Sequence, residues 1–418
     1  MTTQFDYRLA PRMSTVRPSP FAAVLRLARE MEARGVSVLD LSIGEPDFRT
    51  PEDVKEAGIN AIRTNNTRYT LSDGTAEMKK AVAEKFRRDN GLEYRPDEIL
   101  ITNGGVQAMF NTFQATIGPG DEVILPAPYF TPYLSSITLA GGTPVVLQTR
   151  QEDGFVPQPE DILAALTPRT RWLVLNSPAN PSGAVFTSEQ LRAIADAVRS
   201  HPRLLVLSDD MYETIRFTDG PFVNIINVDP TFKDRTVILN GVSKAYAMTG
   251  WRLAYLAGPS ALISGIAQVG FSSAFAPNSI SQAAAQQALI GSQNHTQVQS
   301  DSYKTRLAIV IDLVKDIPNL SFGRCDGTFF LLVNCKSFIG LSMPNGEVIR
   351  DDVDFVLHAL ETQSIAFMPG SAFGSPGYFR ISFATSEAVI REAMACLRVF
   401  CATLDATRTT SHLQTING

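Results

Sequence analysis

"TVILNGVSKAYAMTGWR", residues 236–252, begins as an apolar, β-branched run and ends with a lysine and an arginine in the loop that follows. A short run such as Val237–Leu239 without polar alternation fits a strand buried on both faces of a mostly parallel sheet. Lys244 comes just past that strand, after Ser243 and two positions before Tyr246. Loops at the carboxyl ends of such strands open onto the ligand crevice of an α/β sheet. Lysines are mostly solvated. At the end of a buried strand, however, burial lowers the pKa and frees the amine for imine chemistry. Arg252 then offers a planar fork of the kind that grips phosphate.

The same texture recurs in "EILITNG" (98–104), "DEVILPAP" (121–128), "RWLVLNSP" (171–178), "RLLVLSDD" (203–210) and "RLAYLAGP" (252–259). Between these runs, "GVQAMFNTFQATIG" (105–118) and "SEQLRAIADAVRSH" (188–201) have helical periodicity, the second with Thr187 or Ser188 as N-cap. Alternating strands and helices predict an α/β core around a mostly parallel sheet. Asn103, Asn180, Asp209, Ser243 and Lys244 all fall at or just past strand ends.

Beyond about residue 300 the pattern changes to a helix-like "DSYKTRLAIVIDLVKDI", a strand-like "GTFFLLVNC", the insertion "IGLSMPNGE" and a final strand "YFRISFAT". This reads as a smaller α+β domain, with the N-terminal "PFAAVLRLAREMEARG" helix packed on it. The expected division is a large domain over 50–300, a small domain formed by 14–49 with 301–405, and a flexible polar tail over 406–418.

Composition narrows the function classes. Of 418 residues, 19% are charged and 44% apolar, with a formal net charge of -5, so no basic stripe points to nucleic acid. Cys325, Cys335, Cys396 and Cys401 form neither a C-x-x-C pair nor a dense disulfide framework, which points to a reducing compartment. The first twenty residues lack an apolar h-region, and no segment reaches the length of a membrane span. A cytoplasmic protein acting on small molecules is expected.

Individually the motifs have plain readings. Gly104 and Gly105 could hold a phosphate where a strand turns into a helix, or simply make a tight turn. Asp209 and Tyr212 in "SDDMYE" could meet a cationic ring nitrogen and its neighbours, or Asp209 could be an N-cap. The Asp pair has no accompanying ligand set for a metal. Asn180-Pro181 in "NSPANPSG" is a turn that can house a cis bond. Phe130 could stack on a flat cofactor or belong to the core. Neither nucleotide-binding glycine fingerprint occurs at the glycine pair, which weakens a nicotinamide dehydrogenase reading.

Taken in order, "SIGEPDF" (42–48), "RYTLSDG" (68–74), "NGG" (103–105), "NSPANPSG" (176–183), "SDDMYE" (208–213), "SKAYAMTGWR" (243–252) and "FRISFATSE" (379–387) resemble the fold-type-I pyridoxal-phosphate enzymes. The likeness is to class-I aminotransferases near the bacterial aspartate aminotransferase branch, and it spans nearly the whole chain. It implies a large domain with a mostly parallel, seven-stranded-type sheet covered by helices, pyridoxal 5'-phosphate as cofactor, and a homodimer with shared active sites. Lys244 would carry the cofactor as an imine and shuttle a proton, and Asp209 would keep the ring nitrogen protonated. Tyr212 and Asn180 would contact the ring oxygen. Gly104, Gly105, Val106, Ser243 and Arg252 would hold the phosphate, with Tyr69 reaching it from the neighbouring subunit. Phe130 would stack on the ring, and Arg380, helped by Gly44 and Asn180, would clamp the substrate α-carboxylate.

The implied reaction moves an amino group between an L-amino acid and a 2-oxo acid. A lyase, cyclase or oxidase of specialised amino-acid metabolism on the same framework is the alternative, and no metal is expected. The aspartate branch commonly has lysine where this chain has Val106, and tryptophan where it has Phe130. With the apolar "GFSSAFAP" (270–277), these differences lean the pocket away from acidic side chains.

Overall fold

A computed structural model describes residues 8–16 and 20–416 of the chain, with side chains through residue 406. After β1 (Leu39–Asp40), seven strands form one sheet: β2 (Ile99–Thr102), β3 (Glu122–Ala127), β4 (Thr143–Gln148), β5 (Thr170–Asn176), β6 (Leu205–Asp209), β7 (Thr236–Gly241) and β8 (Ala254–Ala257). Five shorter strands follow: β9 (Ser321–Phe322), β10 (Phe330–Asn334), β11 (Ile365–Ala366), β12 (Met368–Pro369) and β13 (Tyr378–Ser382). The large sheet has the order β2-β8-β7-β6-β5-β3-β4 and is parallel except for β8, which runs against both β2 and β7.

Both faces of this sheet are covered, which is why its strands read as continuous apolar runs. Leu173, Leu175 and Ile238 enter one core, while the alternating Trp172, Val174, Val237 and Leu239 enter the other. Strand β4 is absent from the six runs read in the sequence. It sits at the sheet edge, is only partly buried and contains Pro144, a residue that an edge strand tolerates. The single reversed strand, β8, was not visible in the composition of "RLAYLAGP" either.

Helix Ser188–Val198 starts at Thr187, whose hydroxyl accepts from the Gln190 N–H while the Gln190 side chain accepts from the Thr187 N–H. This capping box makes Thr187 the N-cap and puts Ser188 inside the helix. Helix Phe21–Ala33 buries Val24, Ala28 and Met31 on one face, against residues of β10, β13 and helix Asp352–Gln363. The four-stranded sheet β12-β13-β10-β9 is antiparallel at every pairing. Helix Glu387–Ile416 closes that core through Leu397, Phe400 and Leu404, and its backbone continues through most of the segment expected as a tail. Residues 417–418 of that segment lie outside the described residues. Among the described residues no helix is long and apolar enough to cross a membrane.

Strands β5, β6 and β7 are parallel neighbours, so their carboxyl ends bring Asn176, Asp209 and the Ser243-Lys244 turn to one rim. Strand β2, antiparallel to β8, ends on the same rim and leads into Gly104 and helix Gly105–Thr116.

Candidate active site

A cavity of about 510 Å³ opens between this rim, strand β13 and the 42–45 loop. Every residue expected at the site, except Gly104 and Tyr69, lines it. The Lys244 Nζ donates to the Gly44 carbonyl at 2.5 Å and lies 5.9 Å from the ring centres of both Tyr212 and Phe329. Although its stem is partly open to the cavity, the amine sits deep among protein atoms. That burial, helped by the positive charge of Arg380, lowers its pKa to about 8 against the opposing pull of Glu45. The neutral, nucleophilic form is therefore far more accessible than in a solvated lysine.

Asp209 is buried at the end of β6. One carboxylate oxygen accepts the Met211 N–H at 3.1 Å and the other accepts the Tyr133 hydroxyl. Burial pushes its pKa up to about 6, with these two hydrogen bonds opposing. No cation pairs with it among the described residues, so a protonated ring nitrogen would find an unpaired buried carboxylate here. Burial likewise drives the Tyr212 phenol well above its usual range, leaving it a hydroxyl donor. Asn180 follows Ala179 with a cis bond to Pro181. Its N–H donates to the Asn176 side chain at 2.8 Å, and its side-chain oxygen accepts from Arg380 at 3.0 Å.

At the other end of the cavity, Gly104 has φ +96 and precedes helix Gly105–Thr116 as its N-cap. The first N–H groups of a helix have no partners inside it and carry its positive end, a ready anion site. A Cβ on Gly104 would lie 2.5 Å from an Arg252 guanidinium nitrogen. The glycine thus lets the arginine close over the helix start, with Ser243 and Val106 beside it on the cavity wall. Phe130 forms another wall and meets Tyr133 edge-on at 5.9 Å.

Arg380 sits in mid-strand in β13 and is buried. Its guanidinium donates to the Ser42 carbonyl at 2.6 Å and stacks over Phe330 and Phe373 at 4.0 and 5.0 Å. The Nε has no hydrogen-bond partner, and no carboxylate lies in salt-bridge range among the described residues. Burial lowers its pKa to about 10. A buried guanidinium without a counter-ion is costly, and a carboxylate ligand would complete it in bidentate fashion.

Two expected contributors stand outside this chain's own cavity. Tyr69 is 86% exposed, stands outside the cavity and meets the ring of Phe275. The apolar segment 270–277 does not line the cavity. It lies at and just past the end of helix Ser260–Ala274, beside Tyr69 on the same exposed face and outside this chain's own cavity. Asn103 also points elsewhere, its side chain accepting from the Asn278 N–H at 3.0 Å. Conversely, Tyr133, Asn176, Glu45 and Met211 belong to the site and were not singled out. Asn176, Glu45 and Met211 line the cavity and stand inside the quoted "NSPANPSG", "SIGEPDF" and "SDDMYE", while Tyr133 reaches the site through Asp209.

The arrangement fits pyridoxal phosphate at four points: an amine of lowered pKa, a buried carboxylate without a cation, a glycine turn under an arginine, and a buried arginine lacking its carboxylate. Among the described residues no cluster of His, Cys, Asp or Glu could hold a metal ion. A family model for aminotransferase class I and II matches residues 36–397. The probable aspartate/prephenate aminotransferase of Rhizobium leguminosarum bv. phaseoli is 42% identical over 393 residues, covering 94% of this chain and 98% of that protein. The aspartate/prephenate aminotransferase of Cereibacter sphaeroides is 41% identical over 396 residues, 95% of this chain and 99% of the relative. The crystal structure of the aspartate aminotransferase from Rhizobium meliloti superposes with a TM-score of 0.92 at 42% identity, covering 96% of this chain and 100% of the other. The chain belongs to the class I and II aminotransferases, with the fold-type-I architecture and pyridoxal phosphate as cofactor.

Proposed function

We propose that the cavity is the centre of an amino-acid:2-oxo-acid aminotransferase in which Lys244, Asp209 and Arg380 divide the work. The observation that carries this is their convergence on one 510 Å³ cavity from three separate parts of the chain. Pyridoxal phosphate, when bound, supplies a carbonyl that takes up an amino group and a protonated ring that draws electrons from the substrate Cα. The Lys244 Nζ would hold the cofactor and, as a free amine, would move the proton at the substrate Cα. Asp209 keeps a proton on the ring nitrogen. The Tyr212 hydroxyl and Asn180 amide orient the ring oxygen, and Phe130 forms the stacking wall. Arg252, Ser243 and the N–H groups of Gly105 and Val106 bind the phosphate, with Gly104 making the turn. Arg380, with Gly44 and Asn180 beside it, would fix the α-carboxylate and so direct the Cα–H toward the lysine.

The relatives' names mention aspartate and prephenate. In this cavity the cations among the described residues are Lys244, Arg252 and Arg380, each with a role above, and Glu45 adds a negative charge. Met368 and Phe373 supply apolar wall beside Arg380, and Phe21 and Val106 add apolar surface elsewhere in the cavity. Among the described residues no cation of this chain is left for a second substrate carboxylate, which would cost several kcal/mol if buried ionised and unpaired. We therefore favour an amino donor with an uncharged, largely apolar side chain.

The same reading includes a cytoplasmic homodimer in which Tyr69 of one subunit serves the phosphate of the other. It also includes a large domain over 50–300 with a small domain from 14–49 and 301–405. The exposure of Tyr69 and its ring contact with the exposed Phe275 support the shared site. The direct test of the reaction is a half-reaction. An L-amino acid added to holoenzyme without acceptor should yield one equivalent of 2-oxo acid and leave the cofactor in its amine form. Ammonia, carbon dioxide or a cyclic product with the cofactor unchanged would favour a lyase or cyclase instead.

A further inference from the structure

We infer that Arg306 is a positioning residue for the loop between β1 and helix Glu52–Arg63: by holding Asp47 it sets the Gly44 carbonyl against the Lys244 amine and beside Arg380. This rests on the aminotransferase reading of the cavity. The loop meets the site through its backbone. The Ser42 carbonyl accepts from Arg380 at 2.6 Å and the Gly44 carbonyl accepts from Lys244 at 2.5 Å, while a Cβ on Gly44 would lie 3.7 Å from an Arg380 guanidinium nitrogen. Residues 41–48 belong to no helix or strand, so this geometry depends on how the loop is held at its two ends.

At its start the loop continues β1. The Leu41 N–H donates to Ala366 at 2.9 Å and its carbonyl accepts from Ser382 at 2.8 Å, and Asp40 then turns the backbone by accepting both the N–H and the hydroxyl of Ser42. At its end the anchor is ionic. The Arg306 Nη1 lies 2.8 Å from both carboxylate oxygens of Asp47, and the Tyr303 hydroxyl donates to one of them at 3.2 Å. Among the described residues Arg306 is the one cation in ion-pair range of Asp47, and its side chain is 13% exposed. The guanidinium lies over the rings of Phe48 and Tyr303, at 5.7 and 5.4 Å. Water and salt therefore screen this pair less than an exposed one.

The same helix holds the other partner. Gln299, Tyr303 and Arg306 recur at spacings of four and three in helix Asn294–Lys315 and so share one face. The buried Gln299 donates to the Lys244 carbonyl at 3.0 Å. One helix thus fixes the backbone of Lys244 and, about 10 Å further along its axis, the end of the loop that meets the Lys244 amine. None of the three helix residues lines the cavity. Two hydroxyls also tie this region: Thr249 donates to Glu45 at 2.8 Å, and Thr50 donates to the Ala247 carbonyl at 2.7 Å. They keep the loop attached, so losing the ion pair shifts its register without unfolding it.

Arg306→Gln removes the charge and keeps a polar chain. In the holoenzyme it should raise KM for the best amino donor about fivefold with kcat changed less than about twofold, because the loop acts on the carboxylate clamp. The dissociation constant of pyridoxal phosphate should stay native, since the phosphate cradle lies at the other end of the cavity. Hydrogen exchange of the peptide holding Ser42–Glu45 should quicken, a readout without turnover, while helix Gly105–Thr116 keeps its native rate. Asp47→Asn should reproduce both effects, and it carries the comparison alone if Arg306→Gln does not fold. The double variant should be no worse than either single one, and Arg306→Lys should recover most of the native KM. Unmoved KM and exchange in both single variants, additive losses in the double variant, or a loss spread equally over kcat, KM and cofactor binding would overturn the inference. Quickened exchange in the variants of a protein whose native half-reaction releases ammonia or carbon dioxide would keep the Arg306 anchor and remove the aminotransferase reading. An intact native half-reaction with unmoved exchange and KM in the variants would do the reverse.

Discussion

A methyl group on Gly104 would meet the Arg252 guanidinium at 2.5 Å, so the turn after β2 and the arginine after β7 form one cradle. Any larger residue would also have to adopt φ +96, a conformation that costs about 1–3 kcal/mol without glycine's freedom. Gly104→Ala should weaken pyridoxal-phosphate binding by about tenfold or more, since RT ln 10 is about 1.4 kcal/mol. Equilibrium dialysis of the apo-protein measures it, and native affinity would detach this turn from phosphate binding.

The lowered pKa of Lys244 gives the capture of cofactor a definite pH dependence. Below about 8 the amine is mostly ammonium and unreactive; above it, the neutral form predominates. The rate of pyridoxal-phosphate uptake by apo-protein should thus climb about tenfold per pH unit below 8 and level off beyond it. Arg380 contributes to the lowering, so Arg380→Gln should move the midpoint upward. A midpoint near that of a solvated lysine in the native protein, or a downward move in the variant, would contradict this electrostatic picture.

What could be read from the sequence follows the physics of each element. Strands β5, β6 and β7 declared themselves because burial on both faces leaves uninterrupted apolar runs, and the polar residues ending them had to lie on one rim. Strand β4 did not, because an edge strand needs no such run and carries Pro144. Lys244 stood out as a lysine in a place that disfavours one. Arg380 was legible only by resemblance, since its counter-ion is not part of the chain. Tyr133 was hidden in the run Tyr129–Tyr133, which offers two phenols close together. Which phenol meets Asp209 depends on a helix packing over a strand far away in sequence.

The apolar wall around Phe21, Val106, Met368 and Phe373 predicts the order of amino donors. Aromatic and branched aliphatic amino acids should exceed aspartate and glutamate in kcat/KM by about tenfold or more, given the several kcal/mol for burying an unpaired carboxylate. Val106→Lys places a cation on the half-exposed edge of the cavity and should raise kcat/KM for aspartate. Aspartate ranking first in the native protein, with no gain from the lysine, would dismiss the apolar subsite.

The exposure of Tyr69 outside its own cavity predicts that it acts on another subunit's site. Lys244→Ala and Tyr69→Ala proteins should each be nearly inactive. Heterodimers assembled from the two should regain up to about half the native activity per dimer, one restored site in two. Verified heterodimers without recovery would return Tyr69 to a role within its own subunit or none.

The most direct measurement of the whole account is the attachment point of the cofactor. Holoenzyme reduced with borohydride, digested and mapped by mass spectrometry should have the phosphopyridoxyl group on Lys244, and Lys244→Ala should bind the cofactor without fixing it. A label on any other lysine, or reconstituted protein that takes up pyridoxal phosphate but yields no reduced adduct, would contradict the assignment of this cavity as the aminotransferase centre.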